Sequence, residues 1–526
     1  MRAASRLVAP LAFALAVAGC AREGGDAEGE PAEHEPQDEF APVAAPVVRE
    51  RGPVRPSSRV SFTVRDAATH ELIPCKLTVL GVHGSPDPEF SKTDVPRELD
   101  GAVAAYERVF SLRGTGSVPV PHGTYDVYVS RGLEWTRAVV RGLEVGSRGA
   151  VLDVTLQHVV PTDGWISGDF HVHSAASWDS KVPMRARVFE FASDGVEVMV
   201  STDHNFVSDY APFIEELGAG RWVTSVIGSE ITTRSWGHFG AFPLVRDPSQ
   251  VNGGAIPVRS QTPKQIFEAV RRRSPPALID VHHPRLGRLG YFDRGHFDAP
   301  RAEFLSPAGT SLDFDALEIL NGFRDSERHA IDDVLSDWFH LILHGYRFTG
   351  TGNSDTHHPR FNIGGYPRNF VRVPKDVPAA ITPELLARAV KAGHAFFTTG
   401  PFLRLEVDGA GIGDTVTERS GKLRGHLEVD AAPWVSVTGV RLYVDGHVAQ
   451  RWMVPPSSAV ARLRADFELA VTRDAFVVLR AGGDQPLAPV AGEPGGFRIY
   501  PMALTNPVFI DVDGNGRYDA PFPRSD

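Results

Sequence analysis

From Arg59 to Val160, apolar residues fall in short alternating runs such as Val60-Ser61-Phe62-Thr63-Val64 and Tyr125-Asp126-Val127-Tyr128-Val129, punctuated by glycine and proline. A period of two gives each strand one apolar face, so residues 59–160 are predicted to form an all-β, sandwich-like module. From Pro161 the rhythm becomes apolar run, loop, helical period. Candidate buried strands cover 165–172, 196–202, 223–230, 239–244, 277–282, 316–320 and 348–353. Thr262-Pro263-Lys264-Gln265 opens a helix with a cap, a proline in the first turn and a reciprocal glutamine. Further helices are expected over 326–346 and from Thr382-Pro383 to Gly393. This alternation over residues 161–402 predicts an α/β barrel or a doubly wound sheet. Short β runs with glycine turns return over 403–526, a second all-β module.

The 526 residues are 42% hydrophobic and 23% charged, which fits a multidomain globular chain and excludes a wholly disordered one. The formal charge of -11 belongs mostly to the N-terminus: residues 21–50 hold nine acids and two arginines, leaving -6 on 51–526. Residues 21–58, rich in Glu, Pro, Gly and Ala, read as a disordered tether. No basic stripe suggests nucleic-acid binding. Met1 to Cys20 has the parts of an export signal: Arg2 and Arg6, an apolar run and small residues. The run is shorter than the roughly 20 residues that span a bilayer. Val17-Ala18-Gly19-Cys20 resembles a bacterial lipobox, which implies a lipid on Cys20 and an exported protein anchored to a bacterial membrane. The other cysteine, Cys75, is flanked by Ile73 and Leu77 and is expected to be buried and inert.

Of 20 histidines, 13 lie between His158 and His358. Six stretches place histidine or carboxylate at the C-terminal end of a predicted strand: Asp169-Phe170-His171-Val172-His173, Thr202-Asp203-His204-Asn205, Gly228-Ser229-Glu230, Gly237-His238, His282-His283-Pro284 and Ser354-Asp355-Thr356-His357. Sites in α/β folds are built there, where loops converge and strands fix their positions. Imidazole and carboxylate together suit Zn, Mn or Fe, and residues two apart on a strand share a face. His282-His283 is expected to offer one ring per face, with His283 preferred. The run Asp511-Val512-Asp513-Gly514-Asn515-Gly516 resembles a calcium-loop start, but Phe522 stands where a bidentate Glu belongs, so a turn is expected.

Taken in order, these motifs resemble the PHP (polymerase and histidinol phosphatase) metallohydrolase superfamily. Gly237-His238, Leu320-Asn321-Gly322 and Thr399-Gly400-Pro401-Phe402 resemble its CehA/McbA branch, which includes carbaryl hydrolases. The resemblance covers roughly residues 163–402. It implies a distorted seven-stranded β/α barrel, lying between the two all-β modules, with two or three divalent metal ions at its mouth. Carried over, His171, His173, Glu230, His283 and Asp355 hold a metal pair bridged by Glu230. His238 completes the second metal, and His204 and His357 face a third metal or the substrate. Asp179, in Trp178-Asp179-Ser180, comes one residue later than the family spacing. Asp203 is expected to orient a histidine ring. Phe62 to Asp66 and Ile73 to Val79 resemble carboxypeptidase-regulatory-like β-sandwiches.

Such a centre activates water, so no nucleophilic side chain is required and no Gly-x-Ser-x-Gly elbow occurs. Attack by a metal-bridging hydroxide is expected, with Asp355 or His357 moving the proton and His357 preferred. The substrate is expected to be a small molecule with a phosphoester or a carbamate, amide or ester bond. Arg234, Arg285, Arg324 and Arg368 flank the site loops as candidate substrate-binding cations, the alternative being that they pair with nearby acids. Two other functions compete: a non-catalytic surface binding module on a retained scaffold, and a 5'-3' exonuclease-like phosphodiesterase.

Overall fold

A computed structural model describes residues 56–322, 331–493 and 497–524. The expected signal with Cys20, most of the tether and Arg324 lie outside the described residues. Among the described residues no helix is long and apolar enough to cross a membrane.

The alternating runs of the N-terminal module form two sheets. Ser57–Asp66 pairs antiparallel with Thr115–Pro121 and parallel with Ala150–Leu156, while Cys75–Val82 and Gly123–Ser130 lie side by side in a six-stranded sheet. Val60, Phe62 and Val64 from the first sheet share a core with Leu77, Val79, Val127 and Val129 from the second. Cys75 is fully buried there, and burial pushes its thiol up to about 12 against the nearby Arg131 charge, which removes its reactivity.

All seven predicted runs of the middle segment form strands, but they divide between two sheets. Trp165–Val172, Val198–Ser201 and Thr224–Ile227 pair in parallel. Ser229–Thr232, His238–Phe242, Leu278–His282, Ala316–Asn321 and Thr349–Asn353 form a second, five-stranded sheet. Isolated parallel bridges, Val172 with Thr356 and His204 with Glu230, join the two. The first two pairings of the second sheet are antiparallel. The Thr233–Gly237 connection is too short for a crossover helix, and Gly237 takes φ 88 to turn it. Strict βα alternation therefore fails at this hairpin. Two helices with their own start signals are found as expected, Pro263–Arg271 with the Thr262/Gln265 capping box and Pro383–Lys391 capped by Thr382, whereas Met184–Ser193 and Ala211–Glu216, which have no side-chain cap, were not expected. The helix expected over 326–346 is described as Asp332–Leu343.

The C-terminal strands are built into the same layer. Trp165–Val172 also pairs with Arg368–Arg372, which pairs with Ala395–Thr398, which pairs with Met502–Thr505. One sheet of eleven strands thus runs from the middle segment into the C-terminal one. At the other end of the chain, the N-terminal module docks through a buried ion pair. Lys76 Nζ lies 2.7 and 2.8 Å from the Asp194 oxygens, and Tyr366 donates its hydroxyl to the same carboxylate at 3.1 Å.

Breaking this pair strands a carboxylate in the interior. Lys76→Met should cost about 3–5 kcal/mol, read from urea unfolding midpoints. Adding Asp194→Leu should recover at least half of the loss; a double variant as unstable as the single would show that the stranded charge is not the cause.

Candidate metal centre

The strand ends bring nine side chains together. Overlapping groups whose ligand atoms lie within 4.8 Å of one another are His171, His173 and Asp355; His171, Glu230 and His283; His204, Glu230 and His238; and His173, Asp179, His204 and His357. These are all the residues expected from the sequence to face metal. Asp179, despite its late spacing, is 3.0 Å from His204 Nε2 and 3.3 Å from His357 Nε2.

Glu230 is the hub. Its buried carboxylate lies 3.1 Å from His171 Nε2, 2.5 Å from His204 Nδ1, 3.2 Å from His238 Nδ1, 3.0 Å from His282 Nδ1 and 3.4 Å from His283 Nε2. Asp355 Oδ1 is 3.1 Å from His171 Nε2 and 3.2 Å from His173 Nε2. The expectation that His282 and His283 point to opposite faces is corrected here, since both rings reach Glu230. His283 leaves the strand at φ 27, which breaks the alternation. His282 plays a different part: its Nδ1 holds Glu230, while its Nε2 packs where a side chain on Gly240 would collide. Its ring stacks on His171 at 3.6 Å.

Hydrogen bonds behind the rings fix which nitrogens face the centre. Ser177 donates to Asp203 at 2.8 Å and lies 2.9 Å from His173 Nδ1, so it accepts from that nitrogen and leaves Nε2 with a lone pair. Asp203 thus orients a histidine through Ser177. His171 Nδ1 lies 3.1 Å from Glu318 in the same role. Glu318 also accepts from the His283 backbone at 2.7 Å and from Asn321 at 2.9 Å, and Asn321 reaches Asp355 at 3.1 Å. The buried atoms without a hydrogen-bond partner include His171 Nε2 and His173 Nε2. A lone pair facing carboxylate oxygens is repulsive unless a proton or cation stands between them. The donor set, imidazole nitrogen with carboxylate oxygen, fits divalent Zn, Mn or Fe.

Without a cation, protons must do this compensation. Burial opposes charge on His171, yet Asp355, Glu318 and Glu230 overcome it and hold its pKa well above the usual imidazole range. His204 is driven up to about 10 against burial by Glu230 and Asp179. His173 moves the other way, pushed well down by burial and by His357 and His204. Despite burial, His171 pulls Glu318 down to about 2.

The candidate cations fare less well. Arg368 is fully buried and donates to the backbone oxygens of Gly365, Gly195 and Asp194, so its placement among substrate-binding residues is withdrawn. Arg285 is tied to Asp337 at 2.7 Å and Asp293 at 3.2 Å, the paired alternative. Arg234 is exposed. Glu318 was missed because it lies inside the apolar run Ala316–Asn321. A charged residue in such a run, costly to bury alone, was the available signal.

No protein-family model matches the chain, and no curated protein does. Among solved structures it is similar to a two-domain protein from Bacteroides vulgatus ATCC 8482 containing a predicted PHP-like metal-dependent phosphoesterase. That match has 18% identity and a TM-score of 0.34, over 65% of this chain and 97% of that one. PsfC from Pseudomonas syringae PB-5123 matches at 17% identity and TM-score 0.29, over 43% and 90%. The CARDB domain of PF1109 from Pyrococcus furiosus matches at 19% and 0.14, over 21% and 96%. At these scores the likenesses assign neither fold nor activity.

The role of Glu318 is testable. Glu318→Gln should weaken metal binding about 10- to 100-fold in competition with a chelator, the usual effect of removing such a support. Unchanged affinity would show that Glu318 serves folding alone.

Proposed function

We propose that the chain is a metal-dependent hydrolase of the PHP type, in the CehA/McbA-like branch, with a di- or trinuclear centre of Zn, Mn or Fe. In this reading the seven predicted runs, carried on the two bridged sheets, make a distorted seven-stranded barrel over 161–402, between β modules over 59–160 and 403–526. An export signal over 1–20 and a tether over 21–58 precede them, with lipid on Cys20 anchoring the protein outside the bacterial cytoplasm. The observation that carries the proposal is the pair of buried nitrogens, His171 Nε2 and His173 Nε2, aimed at Asp355 without hydrogen-bond partners.

His171, His173, Asp355 and Glu230 would hold one ion, Glu230 with His283 and His238 a second, and Asp179, His204 and His357 a third. Bound divalent ions lower the pKa of water towards about 7 and polarise the bond to be cut. The chain's own residues do the rest. Glu318, Ser177 and Asp203 hold the rings in one tautomer and orientation. In a dinuclear centre, with no third ion on its Nε2, His357, whose Nδ1 lies 2.9 Å from the Asp355 carbonyl oxygen, moves the proton at Nε2. The bond is a phosphoester or a carbamate, amide or ester of a small molecule. With Arg285 tied to acids and Arg368 buried, charge neutralisation of a phosphate falls mainly to the metals.

The test is activity of Mn- and Zn-loaded protein on aryl phosphates, terminal and cyclic nucleotides, and aryl carbamates, with metal content measured alongside. At least one of these substrates should be turned over, and the His171→Ala, His173→Ala double variant should lose about 100-fold or more. Activity surviving in the double variant would refute the site. Fewer than one metal per chain after reconstitution would favour the binding-module alternative.

A further inference from the structure

Trp178 is 67% exposed, on the loop between two proposed ligands, His173 and Asp179. Its indole stacks on His204 with ring centroids 4.1 Å apart and planes 16° from parallel. An indole so exposed is unusual, since Trp is highly buried on average. The contact with His204 covers one face of the ring at most.

The surrounding loop narrows what that other face would meet. Ala175 and Ala176 offer only methyl groups. Ser177 is buried, its hydroxyl engaged with His173 and Asp203. Asp179 is committed to His204 and His357. The hydroxyl of Ser180 is likewise spent, on the His357 carbonyl at 3.1 Å, which leaves Lys181 as an exposed donor in the loop; a sugar ring needs hydrogen-bonding partners all around its rim, whereas a flat aromatic ring needs only a π face at stacking distance. We propose that Trp178 is a specificity-determining platform: it stacks an aromatic ring of the substrate, aryl group or nucleobase, beside the bond presented to the metal centre. The inference rests on the metallohydrolase reading and adds the class of group next to the scissile bond.

The test measures binding, with phosphonates that resist hydrolysis and offer the metals the same anionic head. Calorimetric titration of Mn-loaded wild type, Trp178→Ala and Trp178→Phe compares phenylphosphonate with methylphosphonate, and adenosine 5'-monophosphate with ribose 5-phosphate, the latter two as their non-hydrolysable methylenephosphonate analogues. Wild type should prefer the ring-bearing member of at least one pair. The pair that shows it separates aryl group from nucleobase. Trp178→Ala should erase about tenfold of that preference, in line with the loss of one stacked ring, and Trp178→Phe should restore most of it. A preference unchanged in Trp178→Ala, or equal losses for both members of each pair, overturns the platform. A preference for ribose 5-phosphate that depends on Trp178 also overturns it, in favour of a sugar. Metal content of the same samples keeps the readings apart. Protein that holds its metals yet shows no ring preference overturns the platform alone, whereas fewer than one metal per chain overturns the metal centre and the platform with it.

Discussion

Glu230 is an ionised carboxylate buried among five imidazoles, and much of the molecule is arranged around making that tolerable. A lone carboxylate in such surroundings would take up a proton; here the imidazoles hold it ionised, well below the usual range despite burial. The compensation is incomplete in one respect. His171 and His173 have their Nδ1 atoms committed to Glu318 and Ser177, so their Nε2 lone pairs turn towards the oxygens of Asp355. A divalent cation resolves that repulsion and satisfies several side chains at once, which a set of single protons does only piecemeal.

The fold supplies the rigidity this arrangement needs. Both faces of the central sheets are covered, so strands such as Leu278–His282 and Ala316–Asn321 are buried throughout. Their ends cannot shift without disturbing the core. Two candidate ligands sit where the backbone leaves the strand at positive φ, His283 and Asp355. Such conformations persist only when their surroundings over-determine them, and they re-aim a side chain that alternation would send elsewhere. The terminal β segments tie into the same frame, one through the Lys76–Asp194 pair and the other by extending the sheet that carries His171.

The sequence was most legible where chemistry and local pattern coincide. His171, His173, Glu230, His283 and Asp355 could be picked out because polar, ligand-type residues stand at the ends of apolar runs. The capped helices at Thr262 and Thr382 were legible for the same local reason. What escaped was non-local. Nothing near Arg368 announces that its guanidinium will be used up by the carbonyls of Asp194 and Gly195, and nothing near Arg285 names Asp337 as its partner. The hairpin at Thr233–Gly237 was masked by an assumed alternation of strand and helix, although the connection is visibly too short for a crossover. Glu318 was hidden by its position in mid-strand, where the run of neighbours reads as core.

The most direct measurement is anomalous X-ray diffraction from crystals of the protein loaded with Mn or Zn. A strong peak is expected within about 2.0–2.3 Å of His171 Nε2, His173 Nε2 and an Asp355 oxygen, with at least one more peak sharing Glu230. Peaks confined to the exposed Asp513 and Asp519 cluster, or none beside His171 and His173 at full metal loading, would contradict the metal centre.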